Sequence, residues 1–216
     1  MPTSKLCRVS SARLFAGNSR SQVFNGVDVL INARFGKGGV LTGGLSTGQV
    51  VTDNCGTPDV PVQFCNTTLP WRAHTQVKLA GVYPLPWWGL QTSATYQNLP
   101  GRDRPASYVA SNGEIAPSLG RNLSACPSAS GPCNATAIVT LVEPNTLFEP
   151  RGNQLDVRLS KIFRLGRTRV QGNFDVYNVT NAADVIVLQT RFGPTWLRPQ
   201  TILAGRLVKF SAQLDF

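Results

Sequence analysis

One serine in a recognisable frame, a single histidine and five cysteines are the residues of this chain whose types and spacing admit covalent chemistry. Gly44-Leu45-Ser46-Thr47-Gly48 spells the G-x-S-x-G pattern of a nucleophile elbow. That pattern presents its serine only on a sharp strand-to-helix turn, and any triad here must use His74. Beyond Ser46 a β-like run continues through Val50 and Val51 with no helical pattern, so a Ser46 esterase is the weakest of the readings. Gly36-Lys37-Gly38-Gly39 lacks the ending and the helix of a phosphate loop and reads as a hairpin turn. His74 has no neighbouring Cys, His or paired acids to build a metal site with. Neither catalytic activity, nor a cofactor, nor a metal is expected. Asn66, Asn122, Asn134 and Asn178 fit the glycosylation pattern by chance.

The cysteines are more informative. Cys55 and Cys65 flank one loop, and Cys126 and Cys133 sit inside another. Both spacings allow short-loop disulfides and neither is a C-x-x-C metal spacing. Free thiols are the alternative. Pairing implies an oxidising compartment. Cys7 is left over, in an N-terminal stretch without clear patterning.

The elements that position these residues are strands. The 20 glycines and 15 prolines cut the chain into strand-sized pieces, and alternation with period two recurs. Val27, Val29, Ile31, Ala33 and Phe35 share one face of Gly26–Phe35, opposite Asp28, Asn32 and Arg34. Gly39–Asp53 returns. Thr75–Leu85 and Leu90–Leu99 form the next pair, joined by a turn bearing Trp87 and Trp88. Gln154–Leu165 places Leu155, Val157, Leu159 and Phe163 opposite Asp156, Arg158, Ser160 and Arg164. Lys161 interrupts that apolar face near its end, where a lysine can snorkel towards headgroups. Gly166 and Arg167 make a tight turn, Val170–Val179 returns, and Thr201–Phe216 is read as the last strand.

Short links near Gly36, Trp87 and Gly166 alternate with long ones at 54–72, 101–151 and 181–199. An irregular loop as long as 101–151 is foreign to a compact soluble domain. It is ordinary on the outer side of a membrane barrel, whose other side carries short turns. Both cysteine pairs fall in long links. The expected fold is all-β: an antiparallel up-and-down meander of about seven long strands, a partial transmembrane β-barrel. Residues 1–21 are read as an irregular N-terminal segment and 22–216 as barrel strands with long outer loops.

Charged residues make up only 15% of the chain, against about 25% in a typical globular protein. The net charge of +10 is spread along the chain in no dense block, so nucleic-acid binding is not expected. No apolar run approaches the ~18 residues of a membrane-crossing helix. Met1–Gly17 carries Lys5, Arg8 and Arg13 and no apolar core, so it does not read as a secretory signal; under the barrel reading the chain is then a fragment, a truncated gene product or one with a mis-called start. Trp87 and Trp88 beside a short turn suit an interfacial aromatic girdle. Trp71, Arg72, Tyr108 and Trp196 lie in long links, where they either touch a ligand or pack the loops together.

The last strand is the most specific signal. Val208, Phe210, Ala212, Leu214 and Phe216 alternate with Lys209, Ser211, Gln213 and Asp215. Together with Asp156-Val157-Arg158-Leu159-Ser160-Lys161-Ile162-Phe163 and Asn173-Phe174-Asp175-Val176-Tyr177-Asn178-Val179-Thr180-Asn181, this ending resembles the C-terminal strands of TonB-dependent receptors. The likeness runs from about Val23 to Phe216, with the Oar-like branch that carries a carboxypeptidase-regulatory-like domain in view. It implies a C-terminal part of a barrel of about 22 strands with a plugged lumen. It also implies outer-membrane lipid and the barrel-assembly machinery as partners, with Phe210, Ala212, Leu214 and Phe216 as the assembly signal. Family members import nutrients and engage TonB through a plug, which these residues do not include; this stretch alone is not expected to transport. The alternative is a soluble, secreted β-sandwich binding module, in which the apolar faces lie between two packed sheets.

Overall fold

The computed structural model describes residues 4–15, 20–55, 62–166 and 168–216. Arg167 of the short turn, and Met1 and Gly17 of the N-terminal stretch, lie outside them. The fold is mostly antiparallel β, built on one meandering sheet that does not close into a barrel.

Eight strands follow one another across that sheet: β1 (Ser4–Phe15), β2 (Ser21–Phe35), β3 (Gly39–Asp53), β5 (Gln76–Pro84), β6 (Leu90–Leu99), β9 (Gly152–Leu165), β10 (Thr168–Tyr177) and β13 (Leu207–Asp215). A short β4 (Asn66–Leu69) folds back on the end of β3, and α1 (Trp71–His74) leads into β5. The second long link carries β7 (Ser107–Ser111), α2 (Asn112–Leu119) and β8 (Thr136–Thr140). The third carries β11 (Val185–Leu188) and β12 (Pro199–Ile202).

Three expectations are corrected. Residues 4–15, read as irregular, form β1, paired with β2 from Ser4↔Asn32 to Phe15↔Ser21. Polar and basic residues interrupt both faces of that stretch, so its strand character comes from backbone pairing and not from alternation. The 101–151 link is not irregular but holds a hairpin and a helix. The last strand starts at Leu207 and not at Thr201, because Pro199–Ile202 pairs with β11 instead.

The hairpin of β2 and β3 shows how the register arises. Gly36 and Gly38 take φ of +55° and +107°, which L side chains adopt only under strain. The pairing then runs unbroken from Phe35↔Gly39 to Ser21↔Asp53. On the opposite strand face, Phe24 lies over two residues without side chains: a Cβ on Gly26 would stand 2.4 Å from its ring, and one on Gly48 2.5 Å. This is an aromatic ring covering bare backbone across a strand pair.

Register decides which side chains share a face. Leu159 pairs with Thr92 and Phe174, and Phe174 with Phe210. Val157 pairs with Ala94 and Val176, and Val176 with Val208. Val29 pairs with Leu45, and Leu45 with Val77. One side of the sheet is therefore mainly apolar from β2 to β13, with Asn25, Gln49, Asp53, Asn98 and Asn153 on it towards the loop end, and among the described residues no second layer covers it: Phe210 is 77% exposed, Leu214 58% and Phe216 101%. The other side is mainly polar: Ser160 and Asp175 are buried on it, while Asn32, Arg34, Lys78, Lys209 and Gln213 are exposed, as is Leu30 at 50%. Among the described residues the buried hydrophobic side chains are Cys65, Ala106, Ala110 and Leu123, all in the long links. A water-soluble sheet protein hides its apolar face. Here that face bears exposed Leu159, Phe163, Phe174 and Phe210.

Candidate functional site: the two sheet faces and the loop cluster

The polar face is a hydrogen-bonded ladder. Arg158 of β9 holds Asp175 of β10 through Nε at 2.5 Å and Nη2 at 3.2 Å. Asp175 is 2% exposed, whereas the Arg158 side chain keeps 44% of its surface. Two residues along, Ser160 Oγ donates to Asn173 Oδ1 (2.7 Å), which also accepts from Gln171 Nε2 (2.9 Å). A small polar cavity of about 240 Å³ opens beside the ion pair, between Ser93, Thr95, Asp156 and Tyr177. Each polar atom in this ladder is answered by a charge or an amide on the neighbouring strand.

The apolar face ends in aromatics at the short-turn end. Phe35 stacks on Tyr83, with centroids 5.8 Å apart and planes 11° apart. Trp87 and Trp88 are 62% and 82% exposed in the β5–β6 turn, and Phe163 and Phe216 stand at the same end of their strands. Lys161 Nζ reaches out of the apolar face to donate to the Trp88 carbonyl, and lies 5.5 Å from the centre of the Phe163 ring. From Val208 to Phe216 the apolar face extends about 27 Å along the chain.

At the other end the three long links pack on one another. Cys55 is bonded to Cys65, folding β4 onto β3, and Cys126 is bonded to Cys133. Arg151 ties the first link to the second: its guanidinium donates to the Arg72 and Thr75 carbonyls (3.0 and 2.7 Å) and to Asn98 Oδ1 (2.6 Å). Arg72 sits 5.7 Å over the Phe148 ring. Trp196 Nε1 donates to the Pro105 carbonyl (3.0 Å), and Phe192 lies beside it, 5.9 Å between ring centres. In the third link Asn178, at φ +51°, donates to the carbonyls of Ala182 and Ala204. Its neighbour Asn181 receives the Arg206 N–H at 3.0 Å.

The structure therefore puts Arg72 and Trp196 in loop packing and does not bring them to one point. Trp71 stays 41% exposed on α1. Tyr108 donates to Glu114 Oε1 (2.8 Å), while Glu114 Oε2 caps α2 by accepting from the Ser111 N–H (2.7 Å) and hydroxyl (2.8 Å). These three bonds hold the Glu114 carboxyl below its ordinary 4.5, the Ser111 backbone contributing most. The same carboxylate pushes the Tyr108 phenol up from 10.0. Burial pushes Asp103, next to the Arg104–Glu149 ion pair, above 3.8.

Sequence reading missed Arg151, Asn98 and Asn178. The only signal was their place at strand ends, where amides and guanidinium groups collect loop carbonyls. Ser46 lies inside β3, opposite Asp28 and Gln76, with strand on both sides of it. His74 packs its ring 5.5 Å from Phe24 and leaves a buried Nδ1 without a partner. Among the described residues no three metal-ligating side chains come together, and no helix is long and apolar enough to cross a membrane.

Comparison with known proteins finds no family model, no curated protein and no solved structure that matches this chain.

Proposed function

We propose that this chain is a set of C-terminal strands of an outer-membrane β-barrel of the TonB-dependent receptor kind, serving nutrient uptake as part of a larger barrel. One observation carries the reading: a mainly apolar side of the meander is left exposed, while its other side carries a hydrogen-bonded ladder of Arg158, Asp175, Ser160 and Asn173. A solvent of hydrocarbon suits that arrangement, since the strands between the two edges pair their backbones with neighbours on both sides while the apolar side chains need no water. The split of short turns and long, disulfide-tied links to opposite ends supports the same orientation, with the links outermost. An open sheet cannot stand in lipid with bare edges at β1 and β13. Further strands must pair with those edges before anything is transported, and contact with TonB runs through a plug that these residues do not supply.

The direct test is refolding into phosphatidylcholine vesicles. A barrel segment floats with the vesicles after alkaline wash and leaves the apolar face inaccessible to aqueous quenchers. If the chain stays in the aqueous fraction, β-rich and monomeric, the membrane reading fails and a soluble binding module takes its place.

A further inference from the structure

Apart from Asp53 at the loop end of β3, Lys161 is the only charged residue on the apolar face from β2 to β13. Among the described residues no carboxylate is paired with it. It stands at the edge of an open apolar groove of about 550 Å³, floored by Gly172 and Ala212 and walled by Leu90, Leu159, Phe174 and Phe210. The groove exists because Gly172 has no side chain; a Cβ built there meets nothing within 4 Å. The ammonium is drawn to the Trp88 end, where the indole is exposed to whatever surrounds the turn.

Lys37 is exposed in the Gly36–Gly38 turn at the same end, while Arg34, Arg164 and Arg169 stand there on the opposite, polar face. Lys161 beside the exposed Trp87 and Trp88 is a cation next to an aromatic belt, the arrangement that anionic headgroups attract, the cation adding a modest, salt-sensitive increment.

Resting on the membrane reading above, we propose that Lys161 and the Gly172 groove form a binding site for one anionic glycerophospholipid of the leaflet at the short-turn end. The phosphate meets the Lys161 ammonium beside Trp88, and one acyl chain lies over Gly172 and Ala212. Charge complementarity selects this occupant. A neutral chain alone fits the groove but leaves the cation unanswered at the hydrocarbon boundary.

The test uses the full chain in vesicles of equal parts phosphatidylglycerol and phosphatidylcholine, extracted into detergent and read by native mass spectrometry for retained lipid. Wild type is expected to retain phosphatidylglycerol over phosphatidylcholine. Lys161→Gln lowers that preference about fivefold, the scale of one cation at an anionic headgroup, because the choline of phosphatidylcholine offsets its own phosphate. Gly172→Leu fills the groove and loses both lipids, while its circular dichroism stays that of wild type. Equal retention of the two lipids by wild type, or unchanged retention in Lys161→Gln, overturns the site and leaves the membrane reading standing. A chain that never enters the vesicles removes both.

Discussion

Replacing Phe174 by arginine separates hydrocarbon from water as the surroundings of the apolar face. Phe174 sits midway along β10, in a row with Leu159 and Phe210, and its ring lies 5.0 Å from that of Phe210. In a bilayer the substitution puts a guanidinium near the midplane, at about 2–4 kcal/mol. Losing the aromatic pair adds roughly 0.5–1.5 kcal/mol. The folded state in vesicles is then weaker by about 3–5 kcal/mol, a factor of roughly 10² to 10³ or more in the folding constant. In water the same site is already 38% exposed, the guanidinium is fully hydrated, and only a share of the ring's burial is lost, about 1 kcal/mol. Gln213→Arg is the control, on the neighbouring β13 but on the polar face, where its amide bonds only Asp215 and stays exposed; it should cost less than ~0.5 kcal/mol in either medium. The assay is urea unfolding from vesicles followed by tryptophan emission, with electrophoretic mobility of unheated samples as a second probe. A Phe174→Arg cost near 1 kcal/mol, or a variant that becomes more soluble and equally stable without lipid, refutes the hydrocarbon reading of the apolar face.

Three further outcomes are expected. Arg158→Ala should cost about 3 kcal/mol and Asp175→Ala less, because the first strands a carboxylate that is 2% exposed while the second frees an arginine that is half in solvent; unfolding of the two single variants and the double variant measures the difference. Reduction should release the two link disulfides, each worth about 2.5 kcal/mol at most for loops this short, so limited proteolysis then cuts the 54–72 and 101–151 links while the main sheet stays intact. Glu114 has its pKa lowered in the fold, so the stability it lends to α2 is fully present above the ordinary 4.5 and lost as pH falls through the lowered value. Amide exchange across Asn112–Leu119 should accelerate in that acidic window, and Glu114→Gln should abolish the pH dependence.

Much of the main sheet was written in local pattern. Alternation around Val157 and Leu159, or Phe210 and Leu214, sets which residues share a side, and Gly36, Gly38 and Gly166 fix where the chain turns. Charge scarcity and the lysine at 161 were legible in the same way. The helix α2 was missed although Ser111 and Glu114 carry the spacing of a capping box, because Gly113 and Pro117 interrupt its helical pattern.

Sequence by itself determined the period-two faces, the turns and the pairing distance of the cysteines, because those depend on neighbours a few residues apart. It did not determine that residues 4–15 pair with β2, that the three links interlock through Arg151 and Trp196, or that among the described residues no second layer covers the apolar face. Those depend on groups up to 91 residues apart in the chain, whose meeting is settled by register and packing. An alternating strand looks the same whatever its apolar side meets; that Phe210 is left bare and Asp175 is buried against Arg158 is a property of the assembled sheet, set by which strands lie beside them.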